Sequence, residues 1–580
     1  MAAARLNVDV LAIVSEFLTD ASDVLAFGLI CSSLRPVAIR RLLSMRPISL
    51  TDHASLCKFH TFLFVDAPVR APHIRALHIK NQNPKRLPKV ANQAPGFSSL
   101  LIDIITLCPQ LEYVSLFLDE EDDCTDDAPI IDAIAALKSL RSLSVRGSAT
   151  SSLDLLHKVR SPLRMLTIDL TFPAALKEFL PRFAPTLQEL KLASFRVQGD
   201  KIWAVLNLPA PPQSCSIPQY PSVRSLSVGC FTGNPLLHPL EYLFPALDGT
   251  LSLGQLDTRV PAYDYDHLRA ANQRAQDQCS PSLAHAWKKL DRLVCGDAEM
   301  LYVLGLRCPI RLLMLDQCAA HSICYAADAL RENPVPRLKL TLRYRRGVFD
   351  DPALFSSQLA GTLTHLTLCV AYDNDFRSYR SGICGDADDF AHLLWDDLLA
   401  RISRTSRCPV PDNILSSLQP LHNLTHLRLV VHSKIYSTVK GPSQWHPAHS
   451  GEFVSAVRGS AFDFKGAAAS LVRTLPSVRY VFLTTGGNLA KRDGSRRGPF
   501  VSYERWDVAR AWRVAAGSKP EHDGTTVQDG LKATRTLVEL DDGVAETIVR
   551  NEELVLSETD EYMFKNGAEL SHDILHVPIG

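Results

Sequence analysis

Residues 119–127 read Asp-Glu-Glu-Asp-Asp-Cys-Thr-Asp-Asp, seven carboxylates in nine positions, and carboxylates so close together could hold a divalent cation. A calcium loop needs alternating Asp ligands, a glycine at the sharp turn and a terminal Glu. That spacing is missing, so the run reads as a solvated loop between a strand and a helix. His446-Pro-Ala-His449 brings two imidazoles together, yet no glutamate stands between them on a helix, as zinc-dependent hydrolysis requires. Gly486-Gly487 and the glycines near Gly494 follow an expected strand. No Gly-Lys-Ser/Thr completes a phosphate cradle, so a turn is expected there. The 14 cysteines show no Cys-x-x-Cys pair, and neither a Gly-x-Ser-x-Gly elbow nor a Cys/His nucleophile arrangement is present. The reading is therefore of a non-enzyme: no catalytic residue, no metal and no cofactor.

Binding is left, and composition narrows its kind. Lys plus Arg and Asp plus Glu are 62 each, so no global field favours nucleic acid or an anionic membrane, and neither partner is expected. Scattered cysteines without disulfide or zinc spacing point to reduced thiols inside the cell, cytoplasmic and/or nuclear. The first residues do not form a signal peptide, and no charge-free apolar run is long enough to span a bilayer. At 580 residues the length suggests about four domains, or a repeat array.

The array is the better description. One phrase recurs: an aliphatic residue, two polar ones, an aliphatic, one polar residue, then an aliphatic. It starts at Ile74, Leu111, Leu140, Leu163, Leu187, Val223, Leu290, Ile310, Val335, Leu363, Leu424 and Val478, with an imperfect copy at Leu247. Most starts lie 20 to 43 residues apart, a solenoid period. Before each phrase stands an amphipathic run closed by a proline-containing turn, as in Ala175–Pro185 or Ser470–Pro476. Proline cannot continue a helix and biases the preceding residue toward extended backbone. The unit is thus helix, turn, strand. Alternate strand residues face opposite ways, so the aliphatics enter a core that only stacked units can bury. This pattern resembles a leucine-rich-repeat array, α/β with a parallel sheet backed by helices, over roughly 70–485. The usual ladder Asn or Cys, three residues after the last aliphatic, is present only as Cys318 and is replaced by Ser148, Thr171, Phe195, Phe231 and His432.

Ahead of the repeats, residues 5–46 predict three short amphipathic helices. Val10, Leu11, Val14, Phe17 and Leu18 fall on one side of the first, and Ser22 is the expected N-cap of the second. The third tolerates Pro36 in its first turn. Leu6, Asp9, Val10-Leu11, Val14, Phe17-Leu18, Asp23-Val24-Leu25 and Cys31 stand in the register of an F-box, which this segment resembles; Asn7 replaces the usual proline. F-box followed by irregular leucine-rich repeats is similar to the divergent F-box families of mushroom-forming fungi. The resemblance implies a Skp-type adaptor partner, and through it a cullin, for a surface comprising Leu6, Val10, Leu11, Val14, Phe17, Leu18 and Leu25. It implies a non-catalytic substrate receptor of an SCF-type ubiquitin ligase. The alternative is an interaction scaffold whose F-box has decayed.

A protein target would then bind the repeats. The residues flanking each middle aliphatic should face away from the core, on the expected concave side. Early ones are short hydroxyls (Ser142, Ser144, Thr167, Ser225, Ser227). Later ones are Arg292, Leu312, Met314, Arg337, Lys339, Arg428, Tyr480 and Phe482, with His365 and His426. Large aromatics and arginine carry most interface energy, so the target site is placed here, for an acidic or phosphorylated segment with an apolar anchor. The segment 373–408 reads as a loop-and-helix insertion. Residues 486–580 read as a polar tail or cap, with helices at Glu504–Val514 and Val544–Leu556.

Overall fold

The computed structural model describes residues 8–79, 96–118, 127–147, 149–168, 181–196, 219–232, 235, 237–256, 262–278, 287–343, 354–373, 412–438, 462–492, 500–516 and 535–566. Leu6 and Asn7, the acidic residues 119–126, most of the 373–408 insertion, His446, His449 and Gly494 lie outside them. The chain divides into two compact units, Met1–Gly233 with Pro239–Leu247, and Asn234–His238 with Asp248–Gly580. The run expected as one solenoid over 70–485 is thus carried by two units.

In the first unit, α1 (Val8–Glu16), α2 (Ala21–Ile30) and α3 (Arg35–Met45) form the N-terminal helices. Asp20, not Ser22, caps α2: its carboxylate accepts from the Ser22 amide at 2.7 Å. Arg41 of α3 and Arg46, which follows it, donate to the Leu18 and Thr19 carbonyls just after α1. These bonds satisfy carbonyls of the turn between α1 and α2 and tie it to the third helix. Gly28 lets α2 and α3 approach closely, since a Cβ there would lie 2.7 Å from the Ala38 Cβ. There follow β1 (Ile48–Leu50), α4 (His53–Val65), α5 (Ala67–Arg70), β2 (Ala76–Ile79), α6 (Phe97–Leu107) and β3 (Tyr113–Leu118). Then come α7 (Asp127–Ala135), β4 (Ser142–Gly147), α8 (Ala149–Lys158), β5 (Met165–Ile168), β6 (Glu189–Arg196) and β7 (Ser225–Thr232). Strands β1–β7 pair in parallel, each with the next.

The second unit repeats the pattern. After α9 (Leu237–Leu243), within which the two units divide, it contains β8 (Thr250–Leu256), α10 (Tyr265–Gln278), β9 (Leu290–Cys295), α11 (Ala298–Leu304), β10 (Ile310–Cys318) and α12 (Ile323–Glu332). It continues with β11 (Arg337–Arg343), α13 (Ser357–Thr362), β12 (His365–Asp373), α14 (Asp412–Leu418), β13 (His426–Thr438), α15 (Phe464–Thr474) and β14 (Tyr480–Arg492). Strands β8–β14 are parallel. All thirteen phrases coincide with strands, and the first aliphatic of each is buried. This is a leucine-rich-repeat-like α/β architecture with a mostly parallel sheet.

Side chains in the turns before the strands replace much of the missing Asn ladder. Ser139, Thr186 and Ser222 donate to carbonyls of the preceding repeat at 2.7–2.8 Å. In the second unit Asn333 and Asn423 do the same through their amides.

The C-terminal expectations need correction. The array does not stop at 485: β14 runs to Arg492, and β15 (Phe500–Ala516) and β16 (Arg535–Glu539) add to it antiparallel. The expected helix 504–514 is therefore a strand. Trp506, Val508 and Trp512 share a face at a period of two as well, and β14 offers a ladder that only a strand can complete. Gly486-Gly487 is likewise no turn but the middle of β14, where a Cβ on Gly487 would overlap the Trp506 ring and the Ser433 carbonyl. The acidic helix spans Asp542–Asn551 (α16), and a further helix, α17, spans Glu558–Asn566. Among the described residues no helix is long and apolar enough to cross a membrane.

Candidate interaction surfaces

The first surface lies on α1 and α2. Of the residues expected to meet an adaptor, Val10, Val14, Phe17 and Leu25 are exposed, Phe17 to 78%. Leu11 and Leu18 are half-buried. Ile13, Leu29 (85% exposed) and Ile30, outside the expected set, are exposed as well. Half of the exposed large apolar side chains among the described residues thus lie between Val10 and Ile30. Exposed apolar residues scattered singly are ordinary, but their concentration on two short helices marks a candidate interaction surface. Three short helices cannot hide so many.

The second surface is the sheet face flanking the middle aliphatics of β9–β14. Parallel register aligns Arg292, Leu312, Arg337, His365, His426 and Tyr480 in one row across the sheet. Met314, Lys339, Thr367, Arg428 and Phe482 form the next. The expected target residues therefore do share a face. They are not open to solvent, however: Leu312, Met314, Lys339 and Phe482 are buried, and Arg292, Arg337, Arg428 and Tyr480 are half-buried.

What meets them is the chain's own C-terminal segment. Glu553 ion-pairs with Arg292 at 3.1 Å, with Arg311, and with Arg337 at 3.4 Å. Glu552 meets Arg337 at 3.3 Å and the Nε2 of His365 at 3.1 Å. Since a carboxylate only accepts, His365 carries its proton on Nε2 there. Arg428 donates to the Leu554 carbonyl at 2.7 Å. The Leu554 side chain, 1% exposed, packs on Phe482 and Ala511. Further along, Asp560 accepts from Lys339 at 2.5 Å and from Thr341 at 2.7 Å. Lys339 is 1% exposed and also pairs with Asp316 at 2.7 Å.

The local geometry explains how α16 delivers these groups. The Leu554 amide bonds back to Val549 and that of Glu553 to Arg550, a Schellman ending with Leu554 touching Ile548 and Val549. Glu553 occupies the left-handed position at φ +54°, the one described non-glycine residue with positive φ. Glycine is the usual occupant. A glutamate here exchanges backbone ease for a carboxylate held by three arginines. The Arg311 guanidinium keeps that carboxylate below its ordinary pKa. Burial pushes the Asp560 carboxyl up, against the pull of Lys339.

His365, His426 and Glu552 lie close enough to suggest a cation site. The two rings stack nearly parallel, with centroids 4.3 Å apart, and His426 stacks in turn on Tyr480. Lone pairs of parallel rings run side by side, so an ion between them would sit about 2 Å off each ring plane, out of line with its donors. Arg337 already holds Glu552. Burial lowers both imidazoles, His426 to about 4, so the cluster is a neutral stack on a hydrogen-bonded carboxylate.

No protein-family model matches the chain, and no curated protein does. Among solved structures it is similar to the crystal structure of a TLR13–ssRNA13 complex, at 14% identity over 62% of this chain and 49% of that one, with a TM-score of 0.24. The chain spans about half the length of that structure. The repeat architecture stands on the chain's own thirteen phrases and their strands.

Proposed function

We propose that this chain is a non-catalytic substrate-recognition subunit of an SCF-type cullin-RING ubiquitin ligase, with α1–α3 binding a Skp-type adaptor and the repeats binding a target protein. The observation that carries the reading is the apolar surface of Val10, Val14, Phe17 and Leu25, on the segment whose residues stand in F-box register. Catalysis would be proximity, the target held beside another subunit's chemistry. A leucine-rich-repeat-like fold suits a receptor, because stacked strands present a long face to a partner.

Co-purification with the Skp-type adaptor tests it. Val14→Asp with Phe17→Asp would place unpaired charge in the interface, and adaptor recovery should be lost while the fold is kept, because both side chains are exposed. Adaptor that co-purifies equally with the double variant, or never with the wild-type chain, turns the reading to an interaction scaffold without a ligase.

A further inference from the structure

We infer that the basic ladder of β9–β14 is a binding site for an acidic segment that ends a helix with two consecutive carboxylates and an aliphatic anchor, and that the chain's own segment Leu540–Asn566 occupies it as an exchangeable ligand. The inference rests on the reading that the repeats capture a target, and it names the chemistry of that target: the pattern Glu552-Glu553-Leu554 with a carboxylate six residues on, at Asp560.

Three observations separate this segment from an ordinary piece of core. Helix α16 contributes no buried residue, and among the described residues of 540–566 only Leu554, Ser557 and Asp560 are buried. One fully buried apolar anchor, with Leu540, Ala545, Ile548 and Val549 only partly buried beside it and a charge network around it, is the composition of a docked ligand, not of a core layer. Second, two of the cations that meet the segment keep a carboxylate of their own in its absence. Lys339 keeps Asp316 at 2.7 Å, and Arg311 keeps a two-pronged bond to Asp291. Departure would therefore leave neither cation unpaired, which is what makes loss of a buried partner costly. Third, the docked segment is under stress. Asp560 Oδ1 is buried without a partner, a cost that is relieved on leaving. Acidic protein is favoured over nucleic acid because Phe482 and Leu554, both buried, form an apolar contact within the site.

The test uses the full chain and a labelled synthetic peptide of residues 540–566, followed by fluorescence anisotropy. Glu553→Arg with Leu554→Asp in the chain should release the segment. The peptide should then bind this variant about tenfold or more tighter than wild type. Binding should be lost when Arg337→Glu is added to the chain, or when the peptide itself carries Glu553→Arg. In the wild-type chain, raising salt from roughly 0.1 M to about 1 M shortens the screening length from about 10 Å to about 3 Å. That should speed hydrogen exchange at 542–554 without changing β11–β13. Adaptor co-purification should be equal for all chains. Its loss with peptide binding intact would sink the ligase reading and spare this one. No peptide binding to the release variant overturns the inference, as does a single-stranded oligonucleotide binding the face where the peptide cannot compete. So does exchange at 542–554 as slow as in β11–β13 at both salt concentrations.

Discussion

Glu553 sets two energies against each other, and three substitutions separate them. Its carboxylate is 22% exposed and meets Arg292, Arg311 and Arg337, of which Arg311 is 40% exposed. Partly exposed ion pairs are worth about 0.5–1 kcal/mol each; with the Arg311 pair counted at the low end, the set comes to about 2 kcal/mol. Against it stands the left-handed backbone at φ +54°, which costs a side-chain-bearing residue about 1 kcal/mol or more. Glu553→Ala loses the pairs and keeps the strain, so the segment should weaken by about 2 kcal/mol, about thirtyfold in its opening constant. Glu553→Gly loses the same pairs but relieves the strain, leaving a deficit of about 1 kcal/mol, about fivefold. Glycine above alanine inverts the order found within a helix. Glu553→Gln, which keeps the shape and the strain, should fall beside alanine. Peptide-resolved hydrogen exchange over 542–554 in the full chain measures this, since a chain of two units does not unfold in one step. The carboxylate's folded pKa is depressed. Its contribution is therefore fully present above the unfolded value of about 4.3 and lost as pH falls through the folded one. Opening in wild type should rise on acidification in that range more than in Glu553→Ala. Exchange faster in the glycine variant than in the alanine variant would refute the reasoning.

Two further expectations concern single positions. Gly487→Ala would drive a methyl into the Trp506 ring and the Ser433 carbonyl, so it should destabilise the β13–β15 region by about 1–3 kcal/mol; unchanged exchange protection there would contradict the packing. Glu241 is buried, with Oε2 lacking a partner, and burial raises its pKa to about 7. The folded chain then holds a proton that the unfolded chain has released, so stability should fall as pH rises from about 4.5 to 7 and level off above. Glu241→Gln should flatten that slope and stabilise the first unit at pH 8 by at most about 3 kcal/mol; a slope kept in the variant, read by thermal melting across pH, would rule this out.

The repeats were legible because their information is local. A period of two within each strand and a proline after each helical run state what is buried and where the helix stops, and all thirteen phrases became strands. Register in a parallel stack follows from that repetition, so the alignment of Arg292, Arg337, Arg428 and Phe482 on one face could be read from one dimension. The acidic helix and the basic, aromatic character of that face are both readable in the sequence, but not that one covers the other. Arg292 and Glu553 are 261 residues apart, and no local pattern encodes a contact at that distance. The same holds for Trp506, Val508 and Trp512, whose spacing suits a helix or a strand until the edge of β14 supplies hydrogen bonds that only a strand can complete. Gly487 suits a turn on local pattern alone for the same reason, because the indole that requires a missing Cβ arrives from another strand. Burial of Lys339, Leu312 and Met314 followed from cover that the sequence places elsewhere. Sequence determined which residues share a face; tertiary structure decided what covers it, because pairing between distant segments is selected by complementary charge and shape, not by period.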